Sequence, residues 1–223
     1  MKKYVVIVGG GKGTRMGTDV PKQFLLLNGV PVLMHTIDKF LATSVDLSVI
    51  LVLPAVHHEY WKELCSTHKF EADHVLVSGG ETRFHSVQNG LNEVADRNSL
   101  VGIHDAVRPL VSVDTVERCY GEVENKNNAI PCITMVDSLR EVHNGQNKMV
   151  NRDNFVSVQT PQVFETGALQ DAFALGYSVN FTDDASVFEA AGHVINLVEG
   201  NQENIKITHL ADLEIAAVLL KGV

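Results

Sequence analysis

The residues best suited to chemistry stand near the start of the chain. A short apolar run, Tyr4 to Val8, breaks into Gly9, Gly10, Gly11 and Gly13, with cations at Lys12, Arg15 and Lys22. Successive glycines permit positive φ and let backbone N–H groups approach anionic oxygens closely. Arg offers a planar fork and Lys a point charge, so cations around such a loop suit a polyphosphate. Two well-known glycine loops do not fit. The P-loop needs a Gly where Val6 stands and a Ser or Thr after Lys12, yet Gly13 follows it. The GxGxxG pattern fails at Thr14 when counted from Gly9 and at Met16 when counted from Gly11. Nor does an acidic ribose ligand follow the second apolar run, Val49 to Leu53, where Pro54 and Ala55 stand. The alternative is a glycine-rich turn carrying solvated charges.

Two further segments have the same character. Ser78-Gly79-Gly80-Glu81 follows a short extended run from His74 to Val77, and Asp105-Ala106-Val107-Arg108-Pro109 follows a strand over Ser99 to His104. Both must be carried by a scaffold. Helical spacing marks Val32–Leu41, Val56–His68, Thr82–Val94 and Val113–Val123, while Leu47–Leu53 reads as a strand buried on both faces and Asn128–Met135 as another strand. This βαβα alternation predicts an α/β fold: a doubly wound, mostly parallel sheet of Rossmann-like type. Ligands of such sheets sit beyond the carboxyl ends of the strands, where all three segments emerge.

The alternation then breaks. Asp137–His143 and Lys148–Asn151 flank Asn144-Gly145-Gln146-Asn147, a hairpin signal. Such a hairpin projects as an arm at about 137–152, serving as a lid, a dimerisation device or a mere surface excursion. Phe155–Val158 is extended, Thr160-Pro161-Gln162 reads as a turn, and helices follow at Thr166–Leu175 and Asp184–Ala191. A strand at Val194–Val198, an extended Asn204–Thr208 and a helix over Asp212–Leu220 complete the pattern. With no repeat or linker, residues 1–223 are expected to form one domain plus the arm.

Composition narrows the partners. A net charge of −9 argues against a nucleic-acid or anionic-membrane surface, so the clustered cations point to a small anionic ligand. Cys65, Cys119 and Cys132 are far apart without a CxxC, as expected of reduced thiols in a cytoplasmic protein. The N-terminal MKKYVVIV lacks a signal-peptide pattern, and no apolar run approaches membrane-spanning length. The histidines show no HExxH spacing, and Asp183 and Asp184 read as residues capping a helix, so no protein metal site is expected.

Taken together, GGGKGTRMG…PKQF at 9–24, SGGETRFHSV at 78–87, HDAVRP at 104–109, NRD at 151–153, QTPQVF at 159–164, FTDDAS at 181–186 and VEGNQENIKIT at 198–208 resemble the 2-C-methyl-D-erythritol 4-phosphate cytidylyltransferase family over essentially the whole chain. The resemblance implies CMP transfer from CTP to methylerythritol phosphate, with Mg²⁺ carried in on CTP and a homodimer exchanging arms. It places Arg15 and Lys22 on the triphosphate and its transition state, and Gly9, Gly10, Gly11 and Gly13 as the cradle. Gly80, Glu81 and Ser86 would surround the cytidine, with Arg83 a weaker candidate there. Asp105, Arg108, Ser138 and Thr160 fall on the polyol phosphate side. Arg152 would reach the substrate phosphate of the other subunit, and Lys206 would add a cation near the transferred phosphate. Ser138 stands where the family commonly has Thr, and Gly9 and Gly10 where Ala is common. A ribitol 5-phosphate cytidylyltransferase and an inactive nucleotide-binding regulator are the alternatives.

Overall fold

The computed structural model describes residues 1–10 and 20–221. Its elements run β1 (Lys3–Val8), β2 (Leu26–Leu27), β3 (Val30–Pro31), α1 (Val32–Leu41), β4 (Leu47–Leu53), α2 (His58–His68), β5 (Val75–Ser78), α3 (Arg83–Asn92), β6 (Leu100–Asp105), α4 (Val113–Lys126) and β7 (Asn128–Thr134). After these come β8 (Arg140–His143), β9 (Gln146–Met149), β10 (Val156–Val158), β11 (Gln162–Glu165), α5 (Thr166–Ala174), α6 (Asp184–Ala190), β12 (Leu197–Glu199) and α7 (Leu210–Leu219). The main sheet has the order β10-β7-β11-β6-β1-β4-β5, with β12 also on β7.

Strands β6, β1, β4 and β5 are parallel neighbours. Their side chains alternate between two cores. Val5 and Ile7 pack with Leu33, Ile37, Phe40, Trp61 and Tyr120 on one face. Val6 and Val8 pack with Phe84, Val87, Leu91, Phe173 and Phe188 on the other. Helix α3 lies so close to the sheet that a Cβ at Gly90 would come within 2.5 Å of Val6 Cγ1, which explains a glycine inside a helix. The chain winds from β1 out to β4 and β5, then returns to β6 on the opposite side of β1. That reversal is the topological switch point, and a crevice opens there at the carboxyl ends.

One expectation fails in the middle of the sheet. The turn read at Thr160–Gln162 leads directly into β11, which runs antiparallel to both β6 and β7. Gln162, Val163 and Phe164 are buried on both faces, so the segment carries no alternation to betray it. Strands β10 and β11 lie along one edge of β7, with Val158 opposite Cys132 and Val163 opposite Ala129. Between them the chain steps aside at the cis Thr160–Pro161 bond, bringing Thr160 to the end of β6. The late strand is Leu197–Glu199 rather than Val194–Val198, and 204–208 joins no ladder. The small β2–β3 hairpin also gave no signal. The arm does form, as the separate two-stranded sheet of β8 and β9.

Candidate active site

Three strand ends supply the cleft. Gly9, immediately after β1, donates its N–H to Val52 O at 2.9 Å, and Gly79 after β5 donates to Leu53 O at 2.8 Å. Between β1 and the Lys22–Phe24 turn runs the loop holding Gly11, Gly13 and Arg15, which lie outside the described residues. Both of its stems are held. Gln23, 2% exposed, donates Nε2 to Gly9 O at 2.8 Å, and Phe24 packs edge-on to Tyr60 and stacks on Trp61. Lys22 Nζ donates to Ile207 O at 3.2 Å.

The resulting cavity, about 290 Å³, brings together Gly9, Gly10, Lys22, Gly80, Glu81, Ser86, Asp105 and Lys206 from the expected set, with Arg83, the weaker candidate, among them. Thr82 caps α3 by accepting from His85 N, and Ser86 Oγ bridges the turn, accepting from Gly80 N at 3.1 Å and donating to Thr82 O at 2.9 Å. An adjoining cavity of about 170 Å³ is lined by Arg83, Asp105, Arg108, Thr160 and Lys206, together with Gln159, Gln162, Thr182 and Asp183. Arg83, Asp105 and Lys206 line both.

Asp105 is the hub of that junction. Its Oδ2 meets Lys206 Nζ at 3.0 Å and Arg108 Nε at 3.2 Å, and its Oδ1 lies 3.7 Å from Arg83 Nε. Burial acts to raise the carboxyl, but Arg83, Lys206 and Arg108 outweigh it and hold Asp105 well below the usual carboxylate range. Arg83 in turn makes a bidentate pair with Asp184, at 2.9 and 2.7 Å. Burial works against both charges. The guanidinium, with its pKa raised by Asp184, stays protonated and holds the carboxylate opposite it. Asp183 caps α6 in a capping box with Ser186, as its sequence position suggested.

Behind the hub sits His104, fully buried with its pKa pushed down by that burial to about 3. Its neutral ring fixes a hydrogen-bond direction. Nε2 donates to Arg108 O at 3.2 Å, so Nδ1 accepts from Thr160 Oγ at 3.0 Å, and Thr160 Oγ accepts from Asp105 N at 3.1 Å. The irregular 200–208 segment delivers Lys206. Arg108 donates to Asn204 O at 2.7 Å, Asn204 Nδ2 to Thr160 O at 2.9 Å, and Ile207 N to Val107 O at 2.9 Å.

Arg152 and Ser138 do not join either cavity. Both are exposed at the base of the arm, where Arg152 donates to Val136 O. Sequence reasoning missed Asp184 as the partner of Arg83, and missed Gln159, Asn201 and Asn204 as the polar frame of the site. Nothing local marks a buried Asn or Gln. Their role lies in contacts across 40 or more residues, such as Gln159 Nε2 to Asn201 O at 2.9 Å. Among the described residues no group of three or more His, Cys, Asp or Glu side chains converges as a metal site.

A mostly parallel sheet with its crevice at the switch point, glycine turns after successive strands and cations around one carboxylate define an α/β nucleotidyltransferase. Comparisons with known proteins carry this further. The family model of 2-C-methyl-D-erythritol 4-phosphate cytidylyltransferase matches residues 3–222, and the chain belongs to that family. It is 48% identical over 220 residues to the 2-C-methyl-D-erythritol 4-phosphate cytidylyltransferase of Bacteroides thetaiotaomicron, covering 99% of this chain and 100% of that one. To the Porphyromonas gingivalis protein of the same name it is 50% identical, covering 98% of each. The crystal structure of the Francisella tularensis cytidylyltransferase superposes with a TM-score of 0.81 at 33% identity, covering 97% of this chain and 98% of that one. The 4-diphosphocytidyl-2C-methyl-D-erythritol synthase of Anaerococcus prevotii gives 0.83 at 26% identity, covering 99% and 96%.

Proposed function

We propose that the chain transfers the cytidylyl group of CTP to 2-C-methyl-D-erythritol 4-phosphate, releasing pyrophosphate and forming 4-diphosphocytidyl-2-C-methyl-D-erythritol for non-mevalonate isoprenoid precursor synthesis. Family membership across residues 3–222 carries this reading. The paired cavities agree with it, since a bi-substrate transfer needs two anions brought to one junction. The cleft of Gly9, Gly10, Lys22, Gly80, Glu81 and Ser86 takes CTP, and the cavity of Asp105, Arg108, Thr160 and Lys206 takes the acceptor.

The acceptor is already a phosphate oxyanion. One of its oxygens bonds to the α-phosphorus of CTP as the bond from that phosphorus to pyrophosphate breaks, and no proton need move. What remains is alignment and charge stabilisation. Lys22 and Arg15 hold the triphosphate and the charge that develops as pyrophosphate departs. Lys206, anchored on Asp105, stands where the incoming phosphate meets the nucleotide. Asp105 accepts from the polyol hydroxyls, and the Ser86-braced turn holds the cytidine.

Magnesium belongs to the substrate complex. Among the described residues the carboxylates lining the CTP cleft are Glu81 and Asp105, which suits an ion arriving on the triphosphate with most of its waters and neutralising phosphate charge there. Residues 1–223 act as one catalytic domain in the cytoplasm, working on small anions rather than nucleic acid. Among the described residues no helix is long and apolar enough to cross a membrane. The arm reaches a second copy, where Arg152 and Ser138 meet the acceptor phosphate in the neighbour's site. This is supported by the complete exposure of β8 and β9.

Pyrophosphate release from CTP and Mg²⁺ with methylerythritol phosphate, ribitol 5-phosphate or no acceptor tests the reading. Turnover with the first is expected. Turnover with ribitol phosphate alone would change the acceptor, and CTP binding without turnover would leave a nucleotide-binding regulator.

A further inference from the structure

The wall between the two cavities is built by Arg83, whose geometry gives it a task other than contacting either ligand. Arg83 opens α3 directly after the Gly80–Thr82 turn. Two of its nitrogens are committed to Asp184, at 2.9 and 2.7 Å, while Nε faces Asp105 Oδ1 at 3.7 Å. Asp184 is 0% exposed and lines neither cavity. Its own place is fixed from β11, because Gln162 accepts from Ala185 N and donates to Asp183 Oδ2, both at 2.8 Å. A bidentate fork fixes the plane of a guanidinium as well as its position, which a lysine ammonium cannot do. The third edge of Arg83 is therefore turned toward Asp105 in one orientation. With Lys206 and Arg108 on Oδ2 and Arg83 beside Oδ1, the carboxylate plane of Asp105 is held from both sides.

We propose that Arg83 and Asp184 are a positioning pair that sets the orientation of Asp105 toward the acceptor, and with it the affinity for the polyol phosphate. This rests on the assignment of the second cavity to the acceptor. The pair ties together the start of α3, the start of α6 and the end of β6. Because Asp184 itself lines neither cavity, an effect of changing it on acceptor affinity has to pass through a neighbour, either Arg83, which it grips, or Asp183 beside it in the acceptor wall, and the conservative Asp184→Glu and the Arg83 variant separate the two.

The test compares Asp184→Asn and Asp184→Glu with the wild-type chain by steady-state kinetics in each substrate, with thermal unfolding alongside. Asp184→Asn should raise KM for methylerythritol phosphate by about tenfold or more while kcat and KM for CTP stay within about threefold. Asp184→Glu, which keeps a carboxylate for the fork, should recover most of the loss. An unchanged KM for the acceptor with a lowered melting temperature would overturn the proposal, because the pair would then only brace α6. An equal rise in both KM values would also overturn it, as a general disturbance of the site. If Asp184→Asn does not fold, Arg83→Lys, which cannot make the fork, should raise KM for the acceptor by a comparable factor, and an unchanged acceptor KM in that variant would overturn the proposal; its KM for CTP does not discriminate, because Arg83 also lines the CTP cleft. Should the wild type use another polyol phosphate, the acceptor named above is wrong, and the same KM split measured with that compound decides the pair.

Discussion

The junction at the end of β6 and the arm of β8 and β9 are held in opposite ways. At the junction, Asp105 is 7% exposed and surrounded by Arg83, Arg108 and Lys206, and each of these has a second anchor or lies in a segment that does. In the arm every residue of both strands is exposed, and Val136 at 72%, Val142 at 72% and Met149 at 73% face solvent. Beyond the β8–β9 ladder, the arm's side-chain contacts include an exposed Lys148–Glu141 pair at 2.8 Å and a bond from Arg140 to Asn147. Exposed pairs of this kind contribute little, and a two-stranded hairpin alone is marginal in water. The contrast separates a region whose geometry one chain determines from a region whose apolar side chains stay exposed within one chain and would be covered only in the proposed dimer.

Lys22 provides the hardest test of the junction side. Its ammonium lines the CTP cleft and is held to Ile207 O in the segment that also carries Lys206. Lys22→Ala should lower kcat by about 10²- to 10³-fold with modest changes in KM, because the lost charge acts on charge developing in the transition state. Pyrophosphate-release kinetics at saturating substrates would show it. A loss confined to KM for CTP would turn Lys22 into a ground-state ligand, and the junction would lose its catalytic half.

The rigidity of the junction can be read from pH. Burial keeps His104 neutral with a pKa of about 3, whereas it titrates near 6.5 in an unfolded chain. Below about pH 6.5 the unfolded state therefore binds a proton that the folded state refuses. Stability from this group is complete above that pH and falls as pH drops, by roughly 2 kcal/mol between pH 7 and pH 5. His104→Asn loses the bonds to Thr160 and Arg108, yet its urea-unfolding free energy should fall about 2 kcal/mol less over the same interval. The other histidines contribute alike to both proteins. Equal pH slopes would mean that His104 is charged in the folded chain, and the hydrogen-bond direction from Asp105 N to Arg108 O would be wrong.

What the sequence disclosed follows the same division between local and distant causes. Helix α1 and strand β4 appear with the bounds that their periodicity predicted, because their apolar patterns are local. The convergence of Gly80, Asp105 and Lys206 also followed, the first two from strand order and the third from the family motif. β11 escaped because a short strand buried on both faces has no period-2 signature to separate it from a turn. Arg83 was placed near the nucleotide, but its pairing with Asp184 spans 101 residues and neither residue announces it. The same holds for Asn204, whose side chain and carbonyl brace Thr160 and Arg108 from within an irregular segment.

Arg152 makes the sharpest cut through the comparison, with the smallest expected effect. Within one chain it lies exposed after the arm and donates to Val136 O, away from both cavities. If one chain were the working unit, Arg152→Ala would be a surface change with no kinetic consequence. If the arm completes the site of a second copy, the variant should raise KM for methylerythritol phosphate by about tenfold and leave kcat and KM for CTP nearly unchanged, as expected for lost uniform binding of a phosphate. Light scattering on the same preparations supplies the other half of the test, with wild type and variant both expected as dimers. An unchanged KM in a dimer would remove Arg152 from the acceptor site while keeping the arm as an interface. A fully active monomer would go further, removing the second copy proposed to cover the exposed apolar residues of the arm.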